Sequence, residues 1–250
     1  MPADSIETLF DRRLAAAPGA PLITSYDTAT GERMELSAAS LRNWVAKTHF
    51  LLIDGLGLGR SDLALVDLPM HWMAAPVLLG CWSAGLAVTG EADHAGDAAV
   101  GFVGADGVPA AGAAGVPELY ALSFATWGRG FDGPAPDGAD DFVLAVRPQP
   151  DKWPGVRFGA TAGDDAWTGA WGSLSRRALA DHGAERAAQI GLAAGGRLLA
   201  ADAGPLSEPF WLDALVAPLA VGASVVLVTG ADAAQIERIA ATENATAILA

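Results

Sequence analysis

The chain has 250 residues, room for one large domain or two tightly packed lobes. Its 15 Lys and Arg stand against 29 Asp and Glu, a formal net charge of −14, which excludes nucleic acid as a partner because phosphate contacts need clustered cations. Its one cysteine, Cys81 in LLGCWSAG, excludes an intrachain disulfide or a cysteine-based zinc cluster and reads as a core thiol between apolar neighbours.

MPADSIETLF lacks the basic start and apolar run of a secretory signal, so a cytoplasmic location is expected. DSIETLFDRRLAAAPG predicts a first helix. Asp4 and Glu7 are spaced as a capping box, Ile6, Leu9, Phe10 and Leu14 share one face, and Pro18-Gly19 stops it. PLITSYDTATGERMELS predicts a hairpin of Leu22–Tyr26 and Arg33–Leu36 around Thr30-Gly31. Ser37 caps a second helix with Leu41, Trp44, Val45 and Leu52 on its apolar side, and Gly55 to Gly59 end it. LALVDLP reads as a short buried strand. GLGLGRSD before it has dinucleotide-loop spacing, but it follows a helix and precedes a strand, the wrong context for that fingerprint.

Met73 to Gly90 carries no charge and imitates a membrane span. Pro76, Gly80, Gly85 and Gly90 divide it, so it is expected as a buried helix, a turn and a strand, with no span. PFWLDALVAPLAVGASVVLVTG repeats this design of helix, glycine, strand and Thr-Gly. Helix-to-strand units repeated in this way predict an α/β fold with mostly parallel sheets flanked by helices. Short strands are expected at Val100–Val103 and Leu119–Leu122, another at FVLAV, and a helix from Trp171 to Gly191. DAAQIERIAATE is a capped helix and TAILA a last strand, closing a βαβ unit. The lobes are expected as 1–145 and 146–250. An apolar strand reaching Ala250 leaves open a second copy or a separate chain pairing there.

The series of pieces resembles the N-terminal part of the adenylate-forming (AMP-binding) superfamily, which includes acyl-CoA synthetases. IETLFDRRLAAAPGAPLITSYD resembles its opening helix and strand. MELSAASLRNWVAKTHFLLIDGLGLGRSDLALVDLPMHWMAAPVLLGCWSAGLAVTG resembles its second block, and GLAAGGRLLAADAG with FWLDALVAPLAVGASVVLV resembles the block after its phosphate loop. The resemblance implies a layered α/β fold and, for an intact member, ATP or AMP with Mg²⁺. The family's phosphate loop is Ser/Thr/Gly-rich and ends in Pro-Lys-Gly. Its expected place after FVLAV holds RPQPDKWPGV, where Lys152 followed by Trp-Pro-Gly is a faint echo and two prolines remove N–H donors.

The other candidate is GATAGDDAWTGAWG, with Thr161, Gly163, Thr168 and Gly169. Asp164 and Asp165 in its middle would repel a triphosphate unless Mg²⁺ lay between. The chain ends before the family's adenine and metal motifs and its catalytic lysine. The expectation is therefore a non-catalytic relative with no catalytic residue, no metal site and no cofactor assigned. The alternative is a small or split acyl-activating ligase. Phe210 and Trp211, with Asp202 and Asp213 near, and His71 in LPMHW are candidates for lining a pocket. His182 with Asp181 and Glu185 reads as a solvated polar face, and His49 and His94 lack metal-ligand spacing.

Overall fold

The structure is a computed structural model that describes residues 5–152, 160–169, 172–201 and 210–249. In chain order these form α1 (Ile6–Ala16), β1 (Pro21–Asp27), β2 (Glu32–Ser37), α2 (Ala38–Phe50), β3 (Leu63–Asp67), α3 (Ala74–Ala84), β4 (Ala87–Thr89), β5 (Val100–Gly104), α4 (Val108–Ala113) and β6 (Leu119–Leu122). There follow β7 (Asp140–Asp141), α5 (Phe142–Val146), β8 (Asp165–Gly169), β9 (Gly172–Ser175), α6 (Arg176–Gln189), β10 (Arg197–Ala201), α7 (Ala217–Ala220), β11 (Ser224–Thr229), α8 (Ala233–Thr242) and β12 (Ala247–Leu249). The expected α/β class is the one found: a five-stranded sheet in the order β12-β10-β11-β1-β2 and a seven-stranded sheet in the order β7-β6-β5-β3-β4-β8-β9, parallel except for β1–β2 and β8–β9.

The chain divides into two compact units, Met1–Leu41 with Arg177–Ala250, and Arg42–Arg176. This differs from a single crossing near residue 145. The first unit takes its edge hairpin from the start of the chain and its parallel strands from the end, so Ile23 pairs with Val225 and Leu198 with Ala247. Its core on one sheet face joins Leu199, Val226 and Val228 to Ile236 and Ile239 of α8. The Asp232–Gln235 capping box starts that helix. At α1 the cap is Ser5 with Thr8, one residue later than expected, and Asp4 lies outside the described residues.

In the second unit, α3 is buried along all 11 residues. An apolar surface all round is what a helix needs when it has no solvent face, and this accounts for the likeness to a membrane span. Among the described residues, no helix is long and apolar enough to cross a membrane. Gly85 ends α3 at φ 98° and turns the chain into β4. On the way, α3 passes close to α2, where a Cβ at Gly80 would lie 2.5 Å from Thr48 Cγ2. Thr48 is fully buried. Gly80→Ala gains about 1 kcal/mol of helix propensity, but it forces a packed threonine to move, which costs about 1–3 kcal/mol or more. Net destabilisation is expected, read as a lowered urea midpoint with an unchanged slope; a rise would contradict the close packing.

Two expected elements are corrected. FVLAV is the helix α5, because Asp141 accepts from the backbone N–H groups of Val143 and Leu144 and starts a helical turn. The expected helix from Trp171 starts only at Arg176; before it, β8 and β9 form an antiparallel hairpin. Ser37 caps α2 as expected, its Oγ accepting from Ser40 N–H at 3.1 Å.

Candidate functional site

In open α/β sheets, ligands bind outside the carboxyl ends of the parallel strands. Here, β3, β4, β5, β6 and β8 run parallel, so their carboxyl ends share one rim. Asp67, Thr89, Gly104, Leu122 and Gly169 end these strands. With FVLAV helical, β8 is the strand that leads into the second half of the glycine-rich stretch. Gly169 of β8 pairs with Gly172 of β9, leaving two residues between them. A loop that wraps a phosphate needs several consecutive backbone N–H groups free to converge. This connection commits the glycines on both sides to a ladder.

The rim beside it is occupied by side chains that sequence reasoning did not single out. A Cβ at Gly169 would meet Glu91 Oε1 at 2.7 Å and the Trp167 Nε1 at 2.8 Å. Glu91 therefore sets a carboxylate against the end of β8, with His94 Nε2 4.0 Å from its Oε2. Trp167 is 4% exposed. Its ring reaches Gly90, where a Cβ would lie 3.6 Å from Cη2. A carboxylate and a buried indole are poor company for an incoming phosphate, by charge and by lack of space.

Thr161, Gly163, Asp164 and Asp165 stand elsewhere. Gly163, Asp164 and Asp165 line a cleft of about 400 Å³ with Ser61, Leu63, Gly85, Ala87 and Thr168. Leu63, Ala87 and Asp165 are the first residues of β3, β4 and β8, so most of the cleft lining sits at the amino ends of the strands. Asp164 is already engaged. Arg60 Nη2 donates to its Oδ1 at 2.8 Å and the Thr161 backbone N–H to its Oδ2 at 2.6 Å. The Arg60 guanidinium, and then the Thr161 amide, hold this carboxyl below the usual aspartate range. The stretch thus carries its own anion on the amide that a phosphate would need. Lys152 is exposed, and the residues that follow it, 153–159, lie outside those described.

His71 follows β3 at the carboxyl rim. Its Nδ1 accepts from the Met73 backbone N–H at 3.2 Å, and its ring meets Phe124 edge-on at 5.0 Å. Phe210 and Trp211 form an edge-to-face pair with centroids 6.2 Å apart. Asp213 is 8% exposed and takes two bonds from Arg186, Nε to Oδ1 at 2.6 Å and Nη2 to Oδ2 at 2.9 Å. This bidentate pair gives Asp213 a structural partner. Asp202 lies outside the described residues. His71, Lys152 and the Thr161–Asp165 stretch belong to one compact unit and Phe210, Trp211 and Asp213 to the other. Among the described residues, no group of three His, Cys, Asp or Glu could hold a metal ion.

No family model matches the chain. It is 39% identical over 251 residues to a TIGR03089 family protein of Mycobacterium tuberculosis (strain H37Rv), covering 96% of each chain. Among solved structures it is similar to an acyl-CoA synthetase of Brucella canis, with a TM-score of 0.76, 18% identity, and cover of 98% of this chain and 47% of that one. It also resembles the anthranilate CoA ligase AuaEII in complex with anthranoyl-AMP, with a TM-score of 0.69, 15% identity, and cover of 92% and 46%. The N-terminal domain of FACL13 from Mycobacterium tuberculosis gives a TM-score of 0.66 at 14% identity, with cover of 97% and 61%. The chain thus spans about half the length of the first two proteins and shares the fold of the N-terminal part of such proteins.

Proposed function

The chain belongs to the TIGR03089 protein family, and from that premise we propose that it is a non-catalytic relative of adenylate-forming ligases, acting by ligand binding or protein interaction. Fold alone does not carry function. The observation that carries this reading is the β8–β9 hairpin, with Gly169 laddered to Gly172 where a phosphate-wrapping loop would have to open. Transfer of an adenylyl group needs the triphosphate clamped and its developing charge neutralised, whereas this rim offers the Glu91 carboxylate.

The test is the melting temperature with Mg-ATP and with AMP. A ligand at ~100 times its dissociation constant stabilises a fold by roughly 2.7 kcal/mol, a shift of several degrees. The expected result is no shift with either nucleotide. A second reading, an acyl-activating ligase completed by a separate polypeptide, is favoured by the position of β12. It is an edge strand of its sheet, and its Ile248 is 51% exposed, an arrangement suited to strand addition. That reading requires nucleotide binding by the assembled pair, so the same titration with a strand-donating chain present separates the two.

A further inference from the structure

A second concave site lies between α2 and the end of α5. Asn43, Trp44 and Lys47 of α2 face Val146 and Arg147 at the end of α5 across a groove of about 210 Å³. This is below the roughly 300–1,000 Å³ of pockets that enclose drug-sized ligands, so it suits one ring or a short branched chain. Its charge is unusual for the molecule. In a chain of 29 carboxylates and 15 Lys and Arg, two cationic side chains and, among the described residues, no acidic one line the groove.

The wall is held firmly. Lys47 Nζ donates to the Arg147 carbonyl at 2.9 Å and to the Gln149 carbonyl at 2.5 Å, tying α2 to the end of α5. Trp44 packs edge-on against Trp72, with centroids 5.5 Å apart. Gly128 lies against both rings; a Cβ there would be 3.1 Å from Trp44 Cζ2. The bordering segments also carry Trp127, 67% exposed at φ 63°, and Leu144, 60% exposed on α5. A bulky residue at positive φ is a strained placement. The Lys47 ammonium is engaged by carbonyls, and the exposed Arg147 guanidinium presents a planar fork, the geometry that pairs with a carboxylate.

We propose that this α2–α5 groove binds a small amphiphilic carboxylate, its apolar body against the Trp44 ring and its carboxylate on Arg147, with Lys47 adding charge and holding the wall. The site is independent of any nucleotide and of the reading above.

The probe is 3-phenylpropionate, titrated into the uniformly ¹⁵N-labelled full chain while the Trp44 indole resonance is followed, that resonance being assigned with Trp44→Phe. Saturable movement is expected, with a dissociation constant of about 1 mM or tighter. The neutral isostere 3-phenylpropanamide should bind roughly tenfold more weakly, and Arg147→Gln, an exposed change that leaves the remaining spectrum in place, should weaken the acid about fivefold. No saturable shift of Trp44 up to about 10 mM would overturn the proposal. So would equal binding of acid and amide, or an Arg147→Gln affinity matching the parent chain. Failure here leaves the nucleotide result untouched, and nucleotide binding would leave this site untouched.

Discussion

Arg176→Met is expected to lower stability by about 3 kcal/mol, or roughly 6–12 °C in melting temperature. Arg176 is 1% exposed, and its guanidinium donates from Nη1 to the Trp82 carbonyl at 2.7 Å and from Nη2 to the Leu86 carbonyl at 2.9 Å. The Trp82 carbonyl lies in the last turn of α3, where the helix dipole favours a cation, and Leu86 follows the Gly85 turn that ends the helix. Trp82 in turn donates from Nε1 to the Ala166 carbonyl at 2.8 Å, so α3, β8 and the start of α6 form one joint. Burial pushes the Arg176 pKa down to about 10, so the group remains charged at neutral pH. Methionine fills much of the volume but donates nothing, so the Leu86 carbonyl loses its guanidinium partner and the Trp82 carbonyl keeps only the Gly85 N–H at 3.0 Å. Lysine should recover part of the loss, because a point charge reaches one carbonyl well and a fork reaches two. Unfolding midpoints of the three chains check this; an Arg176→Met chain as stable as the parent would contradict the joint.

Glu243→Gln is expected to cost about 1–3 kcal/mol near neutral pH, the range for losing charge-assisted hydrogen bonds to a part-buried carboxylate. The Glu243 side chain is 8% exposed at the end of α8. Arg197 Nη2 donates to its Oε2 at 2.5 Å, and Tyr26 Oη and Arg33 Nη2 donate to its Oε1 at 2.5 and 3.0 Å. Burial raises the pKa of this carboxyl, but the bonds from Tyr26, Arg197 and Arg33 outweigh it and hold the net value below the ordinary glutamate range. The folded value lies below the unfolded one, so the stabilisation is complete above the unfolded pKa and is lost as pH falls through the folded pKa. His49 adds to acid sensitivity. It is fully buried, bonded through Nδ1 to Ser83 Oγ at 3.0 Å, and burial pushes its pKa down to about 4. The unfolded chain therefore takes up the His49 proton first as pH falls below the ordinary histidine value. Urea unfolding between pH 7 and 3 should show a shallower fall for Glu243→Gln than for the parent chain. Parallel curves would contradict the role given to Glu243.

The helix-to-strand units were legible because α3 and β4 are punctuated by Gly85, and because β5 and β6 are short apolar runs bounded by Gly and Pro, as punctuation and periodicity require. FVLAV misled because a five-residue apolar run has no period of its own; the deciding signal was the cap at Asp141. β8 and β9 were hidden because AWTG and GSLS are short and alternate weakly, and their partners β4 and α3 lie about 80 residues away. Of the candidate site, the clash of Asp164 with a phosphate role was readable from charge. Its actual partner, Arg60, lies 104 residues upstream and could not be read. Glu91 and Trp167 were missed for the same reason. They meet only because β4 and β8 pair at Val88 and Trp167.

The proposed non-catalytic role requires that the ligase-type fold here lack a working phosphate clamp. Exchange of labelled pyrophosphate into ATP, run on the pure chain with Mg²⁺ and a panel of aliphatic and aromatic carboxylic acids, tests it most directly. Exchange no faster than in a protein-free control is the expected result. Acid-dependent exchange that follows protein concentration would contradict it and assign the chain a nucleotide site despite the Gly169–Gly172 pairing.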